Sequence, residues 1–294
     1  MKSGGASRTA VFVCQGRAAA DGRLAPARFH DPVARHLLRE DERAVVDAAR
    51  TDEKVVEGGM RMAVESVRAC AEVVAPRTVL IDDAVVAAVA SGVGQVVIVG
   101  AGLDTRPWRL TALADAVVYA VDHPSSQADA LTRAAELPAP FGRMVAVPVD
   151  LARDALGPAL GDAGHDADRP TVWVWEGVVP YLTRDDVTTT VAALAERSVA
   201  GSTLVVNYQA PSFTATFGRT VMSAIARMSG ADPMLSDEPW RSTWTPQRMA
   251  ELLAQHGWRV ETDAALLAAA RQIGSPTSRA RSLANGHVTV ARTV

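Results

Sequence analysis

Four short β-type runs in this 294-residue chain end in a glycine or an acid, and that recurrence restricts the fold more than any other feature. Gln95-Val96-Val97-Ile98-Val99 runs into Gly100-Ala101-Gly102, and Tyr119-Ala120-Val121 into Asp122. Met144 to Val149 runs into Asp150, and Val172-Trp173-Val174-Trp175 into Glu176. Runs that are apolar at nearly every position are strands buried on both faces, as in a parallel sheet covered by helices. Segments long enough for a helix lie between most such runs, among them Ser125 to Leu137, Asp185 to Ser198 and Pro246 to His256. The alternation predicts a doubly wound, mostly parallel α/β sheet of the Rossmann-like kind. Open sheets of this class bind ligands in the crevice outside the carboxyl ends of their strands. The four termini therefore mark one edge of one sheet.

Ser202 to Asn207, Trp258 to Glu261 and His287 to Val290 bring the expected strands to seven. The loop-rich stretch Ser275-Pro276-Thr277-Ser278-Arg279 predicts that the last strand returns antiparallel. Ahead of the sheet, Asp31 and Pro32 have the order of an N-cap and first helical residue. From Asp41 to Ala75 the apolar residues recur at three and four. Residues 1–75 are expected to form a helical N-terminal cover, and 76–294 the sheet domain, with Asp82 capping the Ala/Val helix that follows it. An insertion over about 208–245 carries Pro211, Gly218, Gly230, Pro233 and Pro239 around a helical piece, Thr220 to Met228, and reads as a lid.

Charge and cysteine usage narrow the class of function. Thirty basic against thirty-three acidic residues give net −3 without runs of either sign, so no footprint for nucleic acid is expected. Two cysteines, Cys14 and Cys70, without a CxxC, fit a reducing, cytoplasmic setting. His30, His36, His165, His256 and His287 show no ligand spacing, so no metal is expected. The apolar stretch Ala10 to Cys14 is too short for a signal core, and Ala84 to Gly102 divides into a helical and a strand part, so no membrane segment is expected.

Glycines at a strand's end let the backbone approach a ligand closely. A dinucleotide fold would place a third glycine three residues after Gly102, where Thr105 stands, so the motif favours a nucleoside without a diphosphate. Asp122, twenty residues beyond Gly102, suits a ribose diol. Asp150 and Glu176 add two further acids at the same edge.

Taken in order, Gly100-Ala101-Gly102-Leu103-Asp104-Thr105-Arg106, Val121-Asp122-His123-Pro124, Val149-Asp150-Leu151 and Glu176-Gly177-Val178-Val179-Pro180-Tyr181-Leu182 resemble the motif series of the leucine carboxyl methyltransferase-like group of S-adenosylmethionine (SAM) enzymes. The nearest branch is the bacterial O-methyltransferases of polyketide and other natural-product pathways. The resemblance includes Pro76-Arg77-Thr78 with Ile81-Asp82, and more loosely Arg28 to Ala34. It implies that Arg77 holds the methionine carboxylate of SAM and that Gly100, Ala101 and Gly102 pass beneath the methionine and ribose. It further implies that Asp122 and the adjoining His123 meet the ribose, Asp150 and Leu151 the adenine, and Glu176 the methionine ammonium. Departures are Ser125-Ser126-Gln127 with Asp129 and Arg133, where relatives often carry a lysine, and the tryptophan-rich Trp240 to Trp244, which is either core or acceptor pocket.

The reading that follows is a SAM-dependent O-methyltransferase of a small organic acceptor, a carboxylate or a phenol, in secondary metabolism. A carboxylate acceptor is already ionised at neutral pH, whereas a phenol benefits from a base, for which Tyr181 and His123 are the candidates. An NAD(P)-dependent dehydrogenase and a noncatalytic SAM-binding protein are the competing readings. The sequence leaves the acceptor and the oligomeric state, including a homodimer, open.

Overall fold

The computed structural model describes residues 7–51, 58–151, 153–211 and 240–294. Seven strands form one sheet: β1 (Gln95–Val99), β2 (Val117–Asp122), β3 (Arg143–Pro148), β4 (Thr171–Trp175), β5 (Thr203–Gln209), β6 (Trp258–Ala265) and β7 (Gly286–Thr293). Their spatial order is β3-β2-β1-β4-β5-β7-β6. Strands β1 to β5 pair parallel, and β7 slots antiparallel between β5 and β6. The expected mostly parallel sheet with an antiparallel last strand is what forms. The order reverses at β1 and β4, so the crevice of such a sheet falls between those two strands.

Every residue of β1 and β4 is buried, which is why their sequences lack the alternation of a half-exposed strand. On one face Val97, Val99, Trp173, Trp175, Leu204 and Val206 pack against helix α7 (Arg184–Glu196) and helix α8 (Pro246–Gln255). On the other, Val96, Ile98, Val172, Val174 and Val205 meet Ile81, Val85 and Ala88 of helix α3 (Gly58–Ala90). Burying each such side chain is worth about 1.5–3 kcal/mol before conformational entropy is subtracted. Thr183 caps α7 reciprocally with Asp186, and Thr245 caps α8, whose first residue is Pro246.

A third apolar cluster lies in the N-terminal segment. Cys14 and Ala18 of helix α1 (Arg8–Ala20), Val46 of helix α2 (Glu40–Arg50), and Phe29, Val64 and Val67 bury together, with Leu103 of the loop after β1. Helix α3 crosses the expected break. Its 33 residues run through Pro76, because the buried stripe continues unbroken from Val74 and Ala75 to Val79 and Ile81. A proline there removes one helical hydrogen bond without ending the helix. The division between residues 75 and 76 thus falls within one helix, and Asp82 is not a cap but an interior residue of it. Asp31 does cap, accepting from Ala34 N at 3.0 Å, although what it caps is the single 3-10 turn Ala34–Leu37.

Between β6 and β7 the loop-rich stretch is flanked by two short helices, α9 (Leu266–Gln272) and α10 (Ala280–Asn285). The helical piece expected at Thr220 to Met228 lies outside the described residues. Only the flanks of the 208–245 insertion are described.

Candidate functional site

The glycine turn after β1 is built by close packing. Gly100 and Gly102 have φ of +72° and +51°, the left-handed region that other residues avoid. A methyl group at Gly100 would overlap Val178, and one at Gly102 would lie 2.9 Å from the Ala10 side chain of α1. The amides of Gly100 and Ala101 both donate to the Val121 carbonyl at 2.9 Å, which ties the turn to the end of β2.

Asp122 ends β2 beside that turn. One carboxylate oxygen accepts from Gly102 N at 2.5 Å and the other from His123 N at 2.6 Å. His123 sets the first turn of helix α5 (Pro124–Ala134), with Nδ1 2.8 Å from Ser125 Oγ. Its Nε2 lies 3.9 Å from an Asp150 carboxylate oxygen. Beyond β3 the Asp150 carbonyl accepts from the amides of Arg153 and Asp154 at 2.8 Å, and Asp150 N donates to Asp154 Oδ2 at 2.9 Å. Leu151 packs on the main core. The glycine turn, Asp122, His123, Asp150, Leu151 and Glu176 thus line the same edge of the sheet.

Glu176, directly after β4, is held by two arginines. Arg77 Nε of α3 donates to one oxygen at 2.7 Å, and Arg106 Nη2 to the other at 2.7 Å. Burial pushes the Glu176 carboxyl up, but Arg106, Arg77 and Arg17 outweigh it and hold the group well below the usual carboxylate range. Arg106 is itself buried and extends the chain of pairs to Asp104 and, at 2.7 Å, to Asp82. Arg109 Nη1 meets Asp82 at 2.5 Å and its Nε lies 3.7 Å from Asp31, which pairs with Arg17 at 3.1 Å. Arginines 17, 77, 106 and 109 therefore alternate with Asp31, Asp82, Asp104 and Glu176 in one charge-balanced network. Balance is required here, since an uncompensated buried charge costs several kcal/mol.

Of this network, Arg77 and Glu176 are the members that the family resemblance marks as ligand-facing groups. Arg17, Asp104, Arg106 and Arg109 carry no such sign in the sequence, where Asp31 and Asp82 read as caps. The only local signal was the density of charge in Asp104-Thr105-Arg106-Pro107-Trp108-Arg109, immediately after a buried strand.

Tyr181 closes the short turn Val179–Tyr181 beyond Glu176 and is half-buried. It stands on the β4 side of β1, whereas His123 stands on the β2 side. The returning flank of the insertion lies over this turn: Arg241 N donates to the Pro180 carbonyl at 2.7 Å, and Trp244 N to the Gln209 carbonyl at 2.9 Å. Trp244 is a core residue, while Trp240 is exposed. Among the described residues no group of three or more His, Cys, Asp or Glu is arranged to hold a metal, and no helix is long and apolar enough to cross a membrane.

The family model described as leucine carboxyl methyltransferase matches residues 10–195. A Mycolicibacterium smegmatis protein provisionally named an S-adenosyl-L-methionine-dependent methyltransferase is 36% identical over 265 residues, covering 86% of this chain and 82% of that protein. A Mycobacteroides abscessus protein with the same provisional name is 36% identical over 192 residues, 64% of this chain and 62% of the relative. In that match and in one from Mycolicibacterium gilvum, the chain spans 62% and 65% of the relative's length. Among solved structures, a Thermobifida fusca protein provisionally described as a methyltransferase superposes with a TM-score of 0.53 at 18% identity, covering 95% of this chain and 94% of that one. Magnesium protoporphyrin IX methyltransferase from Synechocystis PCC 6803, solved with bound SAH, superposes with a TM-score of 0.51 at 15% identity, covering 89% of this chain and 98% of that one. Likeness at such low identity establishes the fold alone.

Proposed function

The chain belongs to the leucine carboxyl methyltransferase family, and from that premise we propose that it is a SAM-dependent O-methyltransferase of a small organic acceptor, a carboxylate or a phenol, acting in secondary metabolism. The observation that carries the reading is the row of glycine turn, Asp122, Asp150 and Glu176 along one sheet edge, with Arg77 bound to Glu176 at 2.7 Å.

This donor and acceptor set fits the cofactor. Asp122 receives the ribose hydroxyls, and Asp150 with Leu151 flanks the adenine. Glu176 and Arg77 offer an anion and a cation to the methionine ammonium and carboxylate; Glu176 uses one of the five N–H donors of a guanidinium. SAM supplies an electrophilic methyl group on a good leaving group. The protein's part is to align the acceptor in line with that methyl and to exclude water. His123, with one ring nitrogen beside Ser125 and the other toward Asp150, serves the nucleoside end. Tyr181, between the Glu176 turn and the flank of the insertion, serves the acceptor end, as a contact for a carboxylate or a proton acceptor for a phenol. A small-molecule acceptor also suits the net charge of −3.

Calorimetry with SAM, SAH and NAD tests the cofactor. Binding of SAM and SAH but not NAD is expected, with Asp122→Ala weakening SAH by roughly tenfold or more through loss of the diol hydrogen bonds. Binding of NAD alone, or SAH affinity unchanged by Asp122→Ala, overturns the assignment. Formation of SAH from SAM with panels of carboxylic acids and phenols tests the acceptor class.

A further inference from the structure

The N-terminal cover reaches into the cofactor loop through one carboxylate. Asp31 has a side chain with no solvent exposure, yet it belongs to neither the sheet nor the row of strand-end acids. Its Oδ2 accepts from Thr105 Oγ1 at 2.7 Å and lies 3.1 Å from Arg17 Nε. Its Oδ1 caps the turn at Ala34, and its own amide donates to Asp21 Oδ1 at 2.9 Å, so the carboxylate is fixed from its own side. Arg17 donates in turn to the Leu103 carbonyl, and Arg109 Nε donates to Thr105 Oγ1 at 3.0 Å. The loop leaving Gly102 is therefore held at Leu103 and at Thr105, and both holds converge on Asp31.

We propose that Asp31 is a positioning residue for the methionine end of the SAM site, acting through Thr105 and Arg17 without touching the ligand. The inference rests on the cofactor reading given above. Arg17 carries a buried positive charge that Asp31 neutralises and that already acts on Glu176. Without the Asp31 charge, Arg17 is left to compete for Glu176 and Asp104, and the pairing of Glu176 with Arg77 and Arg106 is disturbed. The nucleoside end depends on it less, because Asp122 has a second anchor outside that loop, accepting from His123 N at 2.6 Å. Thr105 stands where a dinucleotide fold would use a third glycine, and its hydroxyl gives that position a tether in place of a close helix approach.

The test is calorimetric titration of the full chain with SAH, which has both ends, and with 5′-methylthioadenosine, which lacks the amino acid end. Asp31→Asn is expected to weaken SAH tenfold or more and methylthioadenosine less than threefold. Thr105→Val, which keeps the size and removes the hydroxyl, is expected to weaken SAH in the same selective way and, combined with Asp31→Asn, to add less than its separate effect. Thr105→Ser is expected to restore binding. Equal loss of both ligands, unchanged SAH affinity in Thr105→Val, or full additivity overturns the proposal. Should Asp31→Asn fail to fold, the Thr105 variants decide alone. Failure of the unmodified protein to bind either ligand would instead refute the cofactor reading.

Discussion

At Gly100 two independent costs fall on one position, and Gly177 offers the control that separates them. Both have φ near +70°, but a methyl group at Gly100 overlaps Val178, whereas at Gly177 nothing lies within 4 Å. Gly177→Ala should therefore cost only the left-handed backbone penalty, about 1–2 kcal/mol. Gly100→Ala should add the strain of displacing packed atoms, another 1–3 kcal/mol or so. Urea unfolding of both variants checks the difference, and equal losses would mean that Val178 moves aside freely. The glycine turn was legible because its constraint is local: a buried strand followed at once by residues lacking a Cβ. The partners of Arg106 were not, because Asp82 and Glu176 lie 24 and 70 residues away and nothing in a linear pattern announces which charges meet.

Elements were legible where a single face or both faces are buried over several residues, as β1 and β4 show, and less so where tertiary packing overrides a local signal. Pro76 reads as a break, but the apolar stripe on either side keeps α3 whole. How α7 is tied to the sheet was also invisible, since the link is a histidine in the loop before β4. His165 Nε2 lies 2.9 Å from Thr171 Oγ1, its ring packs edge-on to Tyr119, and Arg197 at the end of α7 meets its Nδ1 at 3.2 Å. Burial and the adjacent Arg197 pull this imidazole down to about 4. The unfolded chain takes up a proton below the ordinary histidine value of about 6.5, while the folded one does not until about 4. The stability His165 contributes is thus complete above the first value and is lost as pH falls through that window. Between pH 7 and pH 5 the loss should be about 2 kcal/mol. Denaturant unfolding at the two pH values, compared with His165→Gln, checks this: the variant should lose less, and an identical slope would show that the ring is protonated without penalty.

For the whole molecule, the geometry argues that the helical cover and the sheet unfold together, although they were distinguishable in the sequence as 1–75 and 76–294. Helix α3 belongs to both, contributing Val64 and Val67 to the cover's cluster and Ile81 and Val85 to the sheet's. Leu103, from the loop after β1, is buried in the cover's cluster, and Asp31 ties the cover to Thr105. Separating the two would expose that apolar surface and leave buried arginines without their carboxylates, each a cost of several kcal/mol. The chain carries its own reporters for this. Both cysteines, Cys14 and Cys70, lie on the cover side, and all six tryptophans follow residue 107. Cys14 is fully buried, so its reaction with a maleimide reports opening of the cover, while tryptophan fluorescence reports the sheet. In a Cys70→Ser background, the urea midpoints for Cys14 labelling and for fluorescence should coincide, as one cooperative unit requires. Labelling at clearly lower urea would show that the cover opens by itself, and the loop after β1 would then have to hold its shape without Asp31.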